Sequence, residues 1–145
     1  MRLLRPRKAT ASELRRDELR KARIDAPTLR QLLPAAELVR VEIAFDGNAH
    51  LADAPRTFTV YPPAQAHFVY VCPFGDCDGT HDLNEEVNCM LRTGTRRVTG
   101  ARHCLGHRAR RSGPGPQCNL GATYAVTILY AAELSREMQP PSLAR

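Results

Sequence analysis

The sequence predicts a small α+β domain: an antiparallel β-sheet of about five strands with one helix between two cysteine-bearing turns, preceded by a charged N-terminal helix. Three observations favour this class. The chain has 145 residues, which is enough for one modest core. Helical apolar spacing is found at residues 11–24 and 83–91. Segments rich in β-branched and aromatic residues, which are typical of strands, cover residues 38–45, 56–61, 67–72, 96–104 and 122–131.

A capping box opens the first helix, with Thr10 at the N-cap and Glu13 three residues later. The apolar positions that follow are few, namely Leu14, Leu19, Ala22 and Ile24. A helix with so thin an apolar stripe has little to bury. We therefore expect it to be frayed or to fold against a partner.

Alternation defines the strands. In the segment 38–45 the apolar residues fall on one face, which predicts a half-buried strand. The segment 122–131 is the longest apolar run, and it predicts a central strand covered on both faces.

The second helix, residues 83–91, has a clear start and stop in the sequence. Asp82 is its expected N-cap, with Glu85 three residues on, and Thr93-Gly94 should end it. Together these elements predict a basic arm with a charged helix at 1–36, the folded domain at 37–134 and a loose tail at 135–145.

Charge is strongly segregated along the chain, whose net charge is +6. Residues 1–36 hold ten basic and four acidic residues, whereas residues 37–91 hold two basic and nine acidic ones. Residues 92–111 contain seven arginines and no acid. Two basic blocks of this kind can bind nucleic acid, pair with the acidic middle, or simply be solvated.

Composition also bears on location. No apolar run is long enough to span a bilayer, and the N-terminus has charge without the apolar stretch of a secretory signal. We therefore expect a cytoplasmic protein without a membrane partner. In a reducing compartment, five cysteines indicate metal or redox chemistry rather than a disulfide framework.

Four cysteines form the pattern Cys72-x4-Cys77-x26-Cys104-x13-Cys118, with both halves at turns that follow strands. Zn²⁺ held by four thiolates is the typical outcome for such residues in a small cytosolic domain. We expect Gly75 and Gly79 to have positive φ, so that backbone N–H groups can point at the sulfurs.

The fourth ligand has alternatives. His107 follows Cys104 at the ordinary two-residue gap of a zinc turn, but Cys118 is preferred because it begins the final strand. His81 and His103 are further options. Cys89 lies within the predicted second helix, beside its apolar stripe, and is expected to be a buried small hydrophobe.

Two resemblances bear on the metal. The pattern Cys72-Pro73, Cys77-Asp78-Gly79, Cys104-x-Gly106 and Cys118 before an apolar strand resembles small bacterial zinc-ribbon-like proteins of uncharacterised function, over roughly residues 26–133. This resemblance implies a sheet and one structural metal, so the domain at 37–134 is expected to be zinc-ribbon-like.

The run Cys77-Asp78-Gly79-Thr80-His81 resembles the end of the CDGSH iron–sulfur motif. The cysteines and histidine of that motif hold a 2Fe–2S cluster, which implies an iron–sulfur cluster as the alternative cofactor. The family also has a Cys-x-Cys pair upstream, where this chain has Cys72 alone.

These observations predict a zinc-stapled binding module for an anionic partner, either nucleic acid or an acidic protein surface. The arginines expected to meet it are Arg92, Arg96, Arg97, Arg102, Arg108, Arg110 and Arg111. Few aromatic residues accompany them, so base stacking is not evident from the sequence. The alternatives are an assembly subunit that does not bind nucleic acid and a redox protein using Cys72 and Cys77. An enzyme is the least favoured class, because the sequence shows no phosphate loop, nucleophile elbow or Ser/His/Asp set.

Overall fold

The computed structural model describes residues 7–46, 56–110, 112 and 115–131. Several predicted features lie outside these residues: the start of the basic arm, the loop that follows the first strand, Arg111 and the tail at 135–145. No helix within the described part of the chain is long and apolar enough to cross a membrane.

The described residues form three helices and six strands, which confirms the α+β class. A helix lies between the two cysteine-bearing segments, as predicted. In chain order the elements are α1 (Ala11–Asp25), α2 (Leu29–Leu32), β1 (Ala36–Phe45), β2 (Arg56–Val60), β3 (Val69–Val71), β4 (Thr80–Asp82), α3 (Asn84–Thr93), β5 (Arg97–His103) and β6 (Gly121–Tyr130).

The strands divide between two antiparallel sheets. The larger has the order β2-β1-β6-β5, so β6 is a central strand, and β3 pairs with β4 in a separate two-stranded sheet. In the larger sheet Val41 lies opposite Val126 and Val39 opposite Ile128, and all four are buried. This alternation gives the sheet one core face, against which Phe68, Leu83, Val87 and Met90 also pack.

Within the described residues nothing covers the opposite face of the larger sheet, and there the prediction that β6 is covered on both sides is wrong. Thr123 is exposed, and Ala44, Thr99 and Ala125 line an open groove with it. Small and hydroxylated residues occupy every second position here, which is the pattern of a sheet with one solvated face.

The structure also corrects the start of α3. Asp82 belongs to β4, and its carboxylate accepts a hydrogen bond from the Asn84 N–H at 2.9 Å. The N-cap residue is Leu83, which makes no side-chain cap. The helix ends as predicted, at Gly94, whose φ of 66° is the left-handed conformation that glycine adopts without strain. Cys89 is exposed on α3, so its prediction as a buried residue is also wrong.

The N-terminal helix α1 has the predicted capping box, with both reciprocal hydrogen bonds between Thr10 and Glu13. Polar contacts position it on the domain: the Ser12 N–H donates to the Gly75 carbonyl at 3.3 Å, and Arg15 Nε donates to the Asp78 carbonyl at 2.7 Å. Both acceptors lie in the segment that joins β3 to β4. The N-terminal helix α1 is therefore held against the cysteine-bearing turn.

We expect Ile128→Ala to lower the free energy of unfolding by roughly 2–5 kcal/mol, because this side chain is fully buried and its loss leaves a cavity. The matched control is Ile24→Ala on α1, where the side chain is 69% exposed and the change should stay within about 0.5 kcal/mol. Urea denaturation measures both. Equal losses in the two variants would contradict the assignment of the core face.

Candidate metal centre

Four cysteine sulfurs converge at the ends of four strands. Cys72 follows β3 and Cys77 precedes β4, while Cys104 follows β5 and Cys118 precedes β6. The Cys72 and Cys118 sulfurs are 3.8 Å apart, and the Cys77 and Cys104 sulfurs are 3.6 Å apart. Each close pair therefore joins the two-stranded sheet to the four-stranded one.

This geometry fits a single tetrahedral metal ion. Metal–sulfur bonds of about 2.3 Å place the thiolates of such a site about 3.8 Å from one another. The two closest sulfur pairs have that spacing, and all four ligand atoms lie within 4.8 Å of one another. The four residues could therefore hold a metal ion.

Backbone donors are already directed at the sulfurs. The Gly79 N–H donates to the Cys77 sulfur at 3.3 Å, and the Gly106 N–H donates to the Cys104 sulfur at 3.4 Å. The Phe74 N–H donates to the Cys72 sulfur in the same way. In each case the donor is two residues after the cysteine. Such hydrogen bonds stabilise the thiolate form that a metal requires.

Gly79 and Gly106 allow the two loops to meet backbone to backbone. A β-carbon on Gly79 would collide with the Cys104 sulfur and lie 2.9 Å from the Gly106 Cα. A β-carbon on Gly106 would collide with the backbone of Gly79. The prediction of positive φ at Gly75 and Gly79 is wrong, since among the described glycines Gly94 alone has it. Glycine is needed at position 79 for close approach, not for a left-handed turn.

The loop that carries Cys104 and Cys118 is fastened to the first loop by two aspartates. The Asp78 carboxylate accepts a hydrogen bond from the His107 N–H at 2.8 Å. The Asp76 carboxylate accepts one from Arg108 Nε at 2.6 Å. The Arg108 guanidinium also lies 3.9 Å from the centroid of the Phe74 ring. These contacts join the two loops that carry the four cysteines.

The centre is dry. Cys72, Cys77 and Cys104 are buried, and Cys118 is half-buried. Burial raises the pKa of Cys72 far above its usual range and that of Cys77 to about 12. A metal must therefore displace protons from these thiols when it binds. Its affinity falls as the pH falls, because protons compete for the same sulfurs.

The histidines considered as ligands lie outside the group of four sulfurs. The His107 side chain is exposed, and the backbone N–H of this residue donates the hydrogen bond to Asp78 described above. His103 is also exposed. His81 is buried, and its ring meets Phe45 edge-on at a centroid distance of 5.2 Å. Within the described residues, the four cysteines form the one group of metal-ligand type.

The predicted arginines differ in their contacts within the protein. Arg102 is paired with Glu86 and Arg108 with Asp76, so both charges are partly neutralised within the protein. Arg96 and Arg97 lie at the start of β5, and Arg108 and Arg110 follow its end. Arg97 donates a hydrogen bond to the Thr127 hydroxyl, and Arg110 is exposed.

Sequence reasoning missed the structural roles of Asp76, Asp78 and Arg108. One available signal was the repeated Cys-x-Gly at Cys77 and Cys104, which marks two equivalent turns. No protein-family model, curated protein or solved structure matches this chain.

We expect Gly79→Ala to weaken metal binding and to lower the free energy of unfolding by roughly 1–3 kcal/mol, because the new methyl group must displace the Cys104 sulfur or the Gly106 backbone. Gly75→Ala is the matched control, since its β-carbon would meet nothing within 4 Å. Chelator competition and thermal denaturation measure the two effects. A Gly79→Ala protein indistinguishable from Gly75→Ala would refute the close approach of the loops.

Proposed function

We propose that this protein is a zinc-stapled binding module, in which one structural Zn²⁺ is held by Cys72, Cys77, Cys104 and Cys118. The observation that carries the proposal is the convergence of four sulfurs from two loops of two different sheets, all within 4.8 Å of one another and with two pairs at 3.6 and 3.8 Å. The arrangement of two cysteine turns at strand ends supports the zinc-ribbon-like interpretation.

Zinc is favoured over an iron–sulfur cluster by distance and by ligand set. In a 2Fe–2S cluster two protein ligands bind each iron atom, so sulfurs bound to different irons stand farther apart than sulfurs around one ion. No two of these four sulfurs are more than 4.8 Å apart. Two sulfurs bound to the same zinc ion can be separated by at most about twice the zinc–sulfur bond length, or about 4.6 Å. A CDGSH-type site would also need His81, which lies outside the group.

A structural role is favoured over a catalytic one, because four protein ligands leave no open position for water or substrate. The metal would instead join β3 and β4 to β5 and β6 and fix the turn on which α1 rests. Four metal-binding thiolates need reduced cysteines, which supports a cytoplasmic location.

The partner is proposed to be anionic, either nucleic acid or an acidic protein surface. The support is the net charge of +6 and the many arginines that remain exposed, among them Arg92 and Arg110. Such a module binds rather than catalyses, and its affinity would come largely from charge.

Metal analysis tests the first part of the proposal. The purified protein should be colourless and contain one zinc per chain. Cys77→Ser should unfold the domain or abolish stoichiometric zinc, since metal binding and folding share one free energy here. Cys89→Ser, an exposed cysteine outside the group, should retain zinc and stability. Visible absorption with bound iron would overturn the zinc assignment.

A salt titration tests the second part. Fluorescence anisotropy should detect binding to a polyanion, either a nucleic acid or poly-glutamate, and the affinity should fall steeply as salt rises. The physical reason is the release of counterions when arginines replace them. Binding that is indifferent to salt, or absent even at low salt, would contradict an anionic partner.

A further inference from the structure

A groove of about 370 Å³ lies between α1 and the strands β1, β2 and β3. The helix contributes one wall. The other wall and the floor consist of Ile43, Phe45, Arg56, Phe58 and the segment 69–71. The volume is within the range of small-ligand sites, roughly 300–1,000 Å³. None of the four metal-site cysteines lines it.

The wall formed by α1 has an unusual composition. Its lining residues, Arg16, Leu19, Arg20 and Arg23, are spaced three, four and seven residues from the first and therefore share one face of the helix. In a helix packed on a domain this face is normally apolar. Here three of the four positions are arginine, and all three side chains are exposed.

These charges are mostly uncompensated. Arg56 adds a fourth cation from β2, and the residues of the described chain that line the groove include no acid. Arg20 pairs with Asp17 at 2.6 Å on the helix surface. Within the described residues, Arg16, Arg23 and Arg56 have no carboxylate at ion-pair distance. Three guanidinium groups are therefore available to a ligand.

The floor beneath them is aromatic. The rings of Phe58 and Tyr70 stack with centroids 4.3 Å apart and planes inclined by 22°. The Arg56 guanidinium lies 5.5 Å from the centroid of Phe45. Cations beside flat apolar rings match a ligand that carries both negative charge and a planar ring. Single-stranded nucleic acid has this combination at every nucleotide, with phosphates for the arginines and bases for the rings.

We propose that this groove binds single-stranded nucleic acid, with phosphates at Arg16, Arg23 and Arg56 and a base against Phe58 and Tyr70. The inference rests on the proposed function, an anionic partner, and gives that partner a class and a place. This groove differs from the basic segment 92–111, whose arginines have few aromatic neighbours in the sequence. The fold supplies the aromatic rings from strands distant from the basic helix.

The test compares two triple variants with equal loss of charge. Arg16→Gln, Arg23→Gln and Arg56→Gln remove the cations of the groove. Arg92→Gln, Arg97→Gln and Arg110→Gln remove three exposed arginines elsewhere. Anisotropy with a labelled oligothymidine of about twelve nucleotides reports binding at several salt concentrations. Zinc content and melting temperature verify that each variant is folded.

We expect the groove variant to bind at least about tenfold more weakly, with a salt slope reduced by about one per lost phosphate contact. The control variant should stay within about threefold of the unmodified protein, since its arginines lie outside the groove. An abasic strand with the same number of phosphates should bind at least about tenfold more weakly than oligothymidine, because it offers no base to the rings.

Four outcomes would overturn the inference. If the control variant loses binding and the groove variant does not, the site is wrong while the anionic partner stands. If poly-glutamate binds and oligothymidine does not, the partner is an acidic protein surface. If the abasic strand binds equally well, the contact is charge alone and no base enters the groove. If no polyanion binds to the unmodified protein, the proposed function fails together with the inference.

Discussion

The constraint on which the structure depends is the meeting of two loops at four cysteines, three of them buried and one half-buried. One loop joins β3 to β4 and the other joins β5 to β6, so the sulfurs link two sheets that share no strand pairing. The contact tolerates no β-carbon at Gly79 or Gly106, which means that the loops are already in van der Waals contact. A metal ion at this point would fix both sheets with one set of bonds.

The same turn determines where the N-terminal helix lies. Hydrogen bonds from Ser12 and Arg15 reach the carbonyls of Gly75 and Asp78, within the first cysteine loop. The helix is thereby held beside β3, with its row of arginines above the aromatic side chains of the sheet. The cysteine turn thus positions α1, and α1 in turn supplies one wall of the groove.

The fold brings together some of the opposite charges that lie in separate segments of the sequence. Asp76 and Glu86 come from the acidic middle of the chain, and they pair with Arg108 and Arg102 of the second basic block. Those pairs hold loops and strands together, so the corresponding arginines are less available to a partner. In the first basic block, Arg16 and Arg23 have no ion-pair partner among the residues that the structure describes, and this supports the groove on α1 as the proposed anion site.

Local pattern was enough to predict the α+β class, the capping box at Thr10, the alternating face of β1 and the four cysteines as a group, because periodicity and cap chemistry act within a few residues. The division into two sheets, the open face of β6 and the close contact of Gly79 with Gly106 required the tertiary structure. The tertiary structure was also needed to show that the arginine face of α1 lines a groove. Each of these depends on residues far apart in sequence, and a backbone pattern does not specify which distant segment it will pack against.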